Sequence, residues 1–116
     1  MLPKKRRIEK REFRHIISRG KKLNGDNLLL YIAKIETDYE LKDSRFSFSV
    51  SKKVTKGAVD RNRLRRVGYS VIEKSIERIK KGYFLFFVFK KNTVNVKFDV
   101  LEKEILKLLS EALVLE

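Results

Sequence analysis

The chain has no cysteine, no tryptophan, one proline and one histidine in 116 residues. Without cysteine there is no disulfide framework, no thiolate nucleophile and no Cys-ligated zinc or iron–sulfur centre. The single histidine, His15, sits in a Lys/Arg-rich stretch with no sequence-evident partner for acid–base work. Asp26, Asp38, Asp43, Asp60 and Asp99 fall in expected loops or at helix starts, where turn and capping roles suffice. No spacing gathers metal ligands, and Walker or dinucleotide glycine patterns are absent. No apolar stretch approaches the ~18 residues of a membrane span. The basic first residues lead into Glu9, Lys10, Arg11 and Glu12 instead of the apolar core of a signal peptide. No catalytic residue and no protein-held metal or cofactor is therefore expected.

What the chain does have is positive charge. Lys and Arg number 29 against 15 Asp and Glu, a net charge of +14, while 42% apolar residues supply a core for one domain over residues 1–116. The charge is clustered: residues 1–25 carry +8 and 45–69 carry +7, whereas 26–44 carry −3 and 92–116 carry −2. A soluble surface without a polyanionic partner is expected to intersperse its signs. Two basic blocks on a small domain point to nucleic acid.

Residues 10–19 read as a helix with Phe13, Ile16 and Ile17 on one side and Gly20 as its C′ stop. Asn24 to Asn27 is a turn cluster, and residues 28–35 read as a strand apolar on both faces. The polar stretch 36–44 suits a hairpin connection to the next strand. Residues 45–51 alternate, with Phe46, Phe48 and Val50 on one face and Arg45, Ser47, Ser49 and Ser51 on the other. A serine-lined face leaves room for an extended ligand, ordinary solvent exposure being the alternative.

Residues 60–80 read as a helix burying Leu64, Val67, Val71, Ile72, Ile76 and Ile79, with Thr55 and Asp60 both available as N-cap. Asn62, Arg66, Tyr69 and Glu73 fall opposite that stripe. Gly82 stops the helix, and residues 83–89 form an apolar and aromatic run expected to be an interior strand covered on both faces. Asp99 opens a last helix with Glu102 completing a capping box, and Leu101, Ile105, Leu108, Leu109 and Leu113 form its stripe. The order predicts an α+β fold, a sheet covered on one face by helices.

Arg61, Arg63, Arg65 and Arg66 supply planar multi-donor forks at the start of a helix, where the dipole also favours phosphate. Asn62 adds a donor and an acceptor for a ribose hydroxyl or a base edge. The pattern suits a folded RNA. The turn and second helix of a DNA-reading helix-turn-helix are missing, so no DNA partner is expected. Nor is a membrane surface, because the basic blocks are not paired with an exposed apolar face on one long helix.

The run from Arg45 to Lys53, followed by Ala58-Val59-Asp60-Arg61-Asn62-Arg63-Leu64-Arg65-Arg66, closely resembles the strand and so-called RNR helix of the bacterial ribonuclease P protein subunit. Lys10 to Gly20, Leu28 to Tyr31 and Gly82 to Lys91 extend the resemblance over nearly the whole chain. It implies an α/β sandwich of the ribosomal-S5-domain-2-like type with a left-handed β-α-β crossover, against the usual right-handed preference. It implies a cytoplasmic protein that joins a catalytic RNA cleaving precursor tRNA at its mature 5′ end with RNA-bound magnesium. By residue matching, catalytic-RNA binding falls on Lys53, Lys56, Arg61, Asn62, Arg63, Arg65 and Arg66. The single-stranded 5′ leader of the substrate falls on a cleft with Phe13, Tyr31, Ser49, Ser51 and Lys52, and with Lys90 and Lys91 at its edge. Core packing is the competing expectation for Phe13.

Three departures accompany the resemblance: Ile17 stands where a second aromatic is common, Gly68-Tyr69 interrupts the usual basic helical continuation, and Asp60 precedes Arg61. The alternative function is that of a small ribosomal or other structured-RNA-binding protein with no role in cleavage.

Overall fold

In the computed structural model, which describes residues 2–36 and 42–116, the alternating and apolar runs become the strands of one four-stranded sheet. The strands are β1 (Lys21–Asn24), β2 (Leu28–Lys34), β3 (Arg45–Ser49) and β4 (Tyr83–Phe89), in the spatial order β1-β2-β4-β3. The helices are α1 (Phe13–Arg19), α2 (Ala58–Ser75) and α3 (Phe98–Glu111). β2 is antiparallel to both β1 and β4, while β3 runs parallel to β4 and reaches it through α2, a β-α-β crossover.

The expected hairpin across residues 36–44 is not formed, since β2 and β3 are separated by β4. β2 pairs residue for residue along the whole of β4, from Leu28 opposite Phe89 to Lys34 opposite Tyr83. Two seven-residue apolar strands bury more against each other than either would against the five-residue β3. The middle of that connection, residues 37–41, lies outside the described residues. The hairpin that does form joins β1 to β2 through the Asn24–Asn27 turn.

Strand parity divides the apolar residues into two cores. Leu28, Leu30 and Ile32, Phe46 and Phe48, and Leu85, Phe87 and Phe89 face α2 and α3 and pack with Leu64, Ile72, Leu101 and Ile105. Full burial of each such side chain contributes about 1.5–3 kcal/mol. The opposite parity is apolar too, and there Ile16 of α1 is buried with Ile8, Ala33 and Phe84. Helices therefore lie on both faces, not one, and α1 covers only part of its face.

Element ends show where local signals lost to packing. Residues 10–12 form a 3-10 turn in which Glu9 and Glu12 cap each other, and α1 follows. Ile17 is 55% exposed, because this short helix buries only Ile16. Gly20 ends α1 in extended backbone, φ −80°, not in the left-handed form of a C′ stop. Its glycine identity answers to crowding, since a Cβ there would meet the carbonyl oxygens of Ile16 and Ile32. α2 begins after Gly57, with neither Thr55 nor Asp60 at the N-cap, and closes in a 3-10 turn at Ile76–Arg78. Gly82 lies beyond it at φ 96°, turning the chain into β4. α3 begins at Phe98 with Lys97 at the N-cap, so the Asp99–Glu102 capping box does not form; Glu102 instead pairs with Lys74 at 3.7 Å. Leu113 is 74% exposed at φ 62°, past the helix end, and Val114 takes the buried place.

α2 runs unbroken through Gly68. Tyr69, expected opposite the buried stripe, is 7% exposed and packs edge-on to Phe48 with ring centroids 5.0 Å apart. Among the described residues no helix is long and apolar enough to cross a membrane.

Candidate nucleic-acid interface

The basic helix and its leading loop follow directly from the end of β3. A turn in which the Val54 amide donates to the Ser51 carbonyl at 3.0 Å leaves Ser51, Lys52 and Lys53 exposed, with Lys56 exposed just before α2. Gly57 caps α2 with no side-chain hydrogen bond, so first-turn amides keep their donor capacity beside Arg61 and Arg63. The four arginines differ in what they hold. Arg61 donates to the carbonyls of Thr55 (3.1 Å) and Lys56 (2.6 Å), closing the loop onto the helix. Arg63 donates to the carbonyl of Val94, tying α2 to the segment after β4. Arg65 donates to Asn62 Oδ1. Arg66 is exposed and makes no hydrogen bond or ion pair with another described residue.

The second surface is the face of the sheet that α1 only partly covers. Strand register sets Lys22, Tyr31, Phe86 and Ser47 in one row across all four strands. The next row is Asn24, Leu29, Val88 and Ser49. Phe13 projects from α1 onto this face and meets Phe86 edge-on, centroids 4.8 Å apart at 67°. Tyr31 stacks on the same ring at 5.9 Å and 26°, and Lys22 Nζ lies 5.9 Å from the Tyr31 ring. Phe13 and Tyr31 are both half-buried, so they serve the small core and still reach solvent.

A shallow cavity of about 350 Å³ joins the two surfaces: Phe13, Ser47, Ser49 and Phe86 line it together with Arg65 of α2. The expected cleft residues Phe13, Tyr31 and Ser49 thus come together, and Arg65, matched to the catalytic-RNA surface, joins them. Ser51 and Lys52 continue beyond β3 at its exposed end, and Lys91 is exposed past β4. Lys90 braces the β1–β2 turn beside this face, its Nζ donating to Asn24 Oδ1 and the Gly25 carbonyl, both at 2.5 Å. Phe86 and Ser47 were absent from the sequence-based set. Parity with Ser49 could have found Ser47, but nothing within an unbroken apolar strand marks Phe86.

At its other end the open face is closed by acids. Arg45 pairs with Glu9 at 3.2 Å and Glu12 at 3.5 Å. The hydrogen bond from Arg45, helped by the charge of Arg11, holds the Glu9 carboxyl below its ordinary value. These carboxylates are neutralised locally, and the serine end of the face is left to the lysines and arginines. His15 makes its ring contact with Phe84, centroids 6.3 Å apart. Among the described residues no three His, Asp or Glu side chains gather as metal ligands. The arrangement can bind phosphate, stack on bases and offer hydroxyls.

Comparison with known proteins agrees with this chemistry. The model of the family described as Ribonuclease P matches residues 2–113. The ribonuclease P protein component of Clostridioides difficile is 37% identical over 95 residues, covering 81% of this chain and 79% of that protein. That of a Synechococcus strain is 31% identical over 113 residues, covering 97% and 85%. The solved structure of the Staphylococcus aureus RNase P protein superposes with a TM-score of 0.83 at 20% identity, covering 96% of this chain and 98% of that one. A match that runs from the second residue to the end of the last helix leaves no element outside it, and the chain belongs to the ribonuclease P protein component family.

Proposed function

We propose that this subunit of the tRNA-processing ribonucleoprotein uses its two surfaces for two RNAs. The loop with Lys53 and Lys56, and α2 with Arg61, Asn62, Arg63 and Arg66, bind the catalytic RNA. The open sheet face between α1 and β3 holds the single-stranded 5′ leader of precursor tRNA on Phe13, Tyr31, Ser49, Ser51 and Lys52. Lys91 stands at the edge of that face, and Lys90 acts there by holding the β1–β2 turn. One observation carries the reading: the cavity lined by Phe13, Ser47, Ser49 and Phe86 is also lined by Arg65, so a strand leaving the sheet face passes directly onto the arginine helix. Magnesium enters this reading as an ion of the RNA, in the cytoplasm where precursor tRNA is processed.

In this division of labour the protein binds and orients, and the RNA carries the chemistry. Exposed lysines and arginines neutralise phosphates that would otherwise repel the two RNAs. Half-buried rings beside serine hydroxyls suit an unpaired strand, whose bases are free to stack. The test is Tyr31→Ala in the particle reconstituted with its catalytic RNA. Affinity for precursor tRNA with a leader falls by about 1–3 kcal/mol, the worth of one stacked base. Affinity for leaderless tRNA and for the catalytic RNA stays unchanged. An equal loss with both substrates, or no loss with either, contradicts the assignment of the open face.

A further inference from the structure

No cation of the first basic block, residues 1–25 with a charge of +8, is among those assigned to the catalytic RNA or to the leader. The fold divides these cations into two groups. Arg6 and Arg11 are engaged with carboxylates, pairing with Asp43 at 3.6 Å and with Glu9 at 2.9 Å. Arg19 and Lys21 are exposed and make no hydrogen bond or ion pair with another described residue, and the same holds for Lys34 at the end of β2.

These three unpaired cations come together. With His15 and Leu113 they line a recess of about 500 Å³ between the end of α1 and the segment after α3, where Glu36 is the one carboxylate among the described residues. Register fixes where the recess stands. Lys21 lies opposite Ile32 on the outer strand β1, and Lys34 lies opposite Tyr83 at the start of β4. The arginine-bearing half of α2 follows instead from the far end of β3, the other outer strand, so the two basic sites occupy opposite corners of the sheet. Three strand spacings put β1 about 14 Å from β3, beyond the ~8 Å screening length of physiological salt. RNA bound on α2 therefore leaves the recess unneutralised.

Cations at the end of α1 answer in part to the negative C-terminal dipole of that helix, but the effect fades within one turn, and Lys34 stands on a different element. A docked protein surface would need an apolar or aromatic centre. Of the described residues lining the recess, Leu113 is the one large apolar side chain that is exposed. Contacts to phosphate need only charge and reach.

We infer that this recess holds the phosphate backbone of a folded RNA segment separate from the one on α2. Arg19 supplies a planar fork for one phosphate, and Lys21 and Lys34 supply point charges for its neighbours. The inference takes from the functional reading above only that the partner is RNA, and none of the residues assigned to the leader lines the recess. Two RNAs offer such a segment: a part of the catalytic RNA away from its contact with α2, and the body of the tRNA.

The experiment compares Arg19→Gln/Lys34→Gln with a control, Lys103→Gln/Lys107→Gln, which removes the same charge from exposed positions on α3. Affinity is measured across a salt series for the protein binding the catalytic RNA and for the reconstituted particle binding leaderless tRNA, with melting curves alongside. The expected result is a salt dependence shallower by about two counterions in at least one titration, with the melting temperature and the control unchanged. A change in the first titration assigns the segment to the catalytic RNA, and a change in the second assigns it to the tRNA body. Unchanged slopes in both, or an equal change in the control, overturn the inference. A lower melting temperature with unchanged slopes also overturns it and leaves the cations as partners of the α1 end. Where stability and slope both fall, Arg19→Lys/Lys34→Arg decides, since a restored slope supports phosphate binding and an unrestored one contradicts it. Unchanged slopes with a loss of affinity for polyglutamate would make the recess a site for an acidic protein and not for RNA. Because neither titration contains a leader, failure here and failure of the leader cleft are read from different measurements.

Discussion

The ring of Phe48 occupies the space where a side chain on Gly68 would stand. A Cβ there would lie 2.7 Å from Cγ of Phe48 and closer still to Cδ1 and Cε1. The ring has nowhere to retreat, since it stacks on Phe87 at 4.7 Å and meets Tyr69 edge-on. What reads in sequence as a weak point of the basic helix is the position that lets α2 lie close on the sheet.

Gly68→Ala therefore destabilises the fold even though alanine is the better helix former by about 1 kcal/mol. Overpacking of about 1–3 kcal/mol outweighs that gain, for a net loss of up to about 2 kcal/mol. Urea unfolding measures it, and an unchanged or raised midpoint contradicts the close approach.

Arg66→Ala and Arg63→Ala separate binding from bracing. Arg66 is exposed without a described partner, so its loss weakens RNA binding, lowers the salt slope by about one counterion and leaves the melting temperature unchanged. Arg63 donates to the Val94 carbonyl, and its loss lowers the melting temperature as well as the affinity. Filter binding across a salt series with parallel melting curves distinguishes the two; identical behaviour would show that the hydrogen bond contributes nothing.

Glu104 of α3 accepts from the amides of Asn27 (2.8 Å) and Leu28 (2.7 Å) and from Asn27 Nδ2 (2.9 Å), clamping the turn that sets β1 beside β2. Hydrogen bonds to a charged acceptor contribute about 1.5–3 kcal/mol each in favourable settings. Glu104→Ala should cost about 2–3 kcal/mol and speed amide exchange at Asn27 and Leu28 more than in the core strands. Equal protection in variant and parent would refute the clamp.

Much of this was legible in the chain. The alternation of Phe46, Phe48 and Val50 fixed which face of β3 is buried, and the 83–89 run marked the interior strand. β1 was not legible, because Lys21–Asn24 offers one apolar residue and becomes a strand only by pairing with β2. A helical wheel misplaces Tyr69, Ile17 and Leu113 because its angles ignore the shape of the partner. The glycine beside Tyr69 lets Phe48 reach it, α1 is too short to bury two adjacent isoleucines, and α3 stops before Leu113. The site divides in the same way. The arginine cluster is a local pattern and could be read directly, whereas Phe86 becomes visible only when register aligns four strands and α1 is seen to stop short.

Whether this chain is the protein half of an RNA enzyme is decided by one reconstitution. Purified protein freed of RNA, the catalytic RNA from the same cell, and the two combined are each given precursor tRNA at low magnesium. The expected result is no cleavage by the protein alone and, from the combined particle, release of the intact leader with a mature 5′ end on the tRNA. Cleavage by the RNA-free protein that is lost on mutating His15 or a carboxylate, or a particle no more active than its RNA at any magnesium concentration, would contradict it.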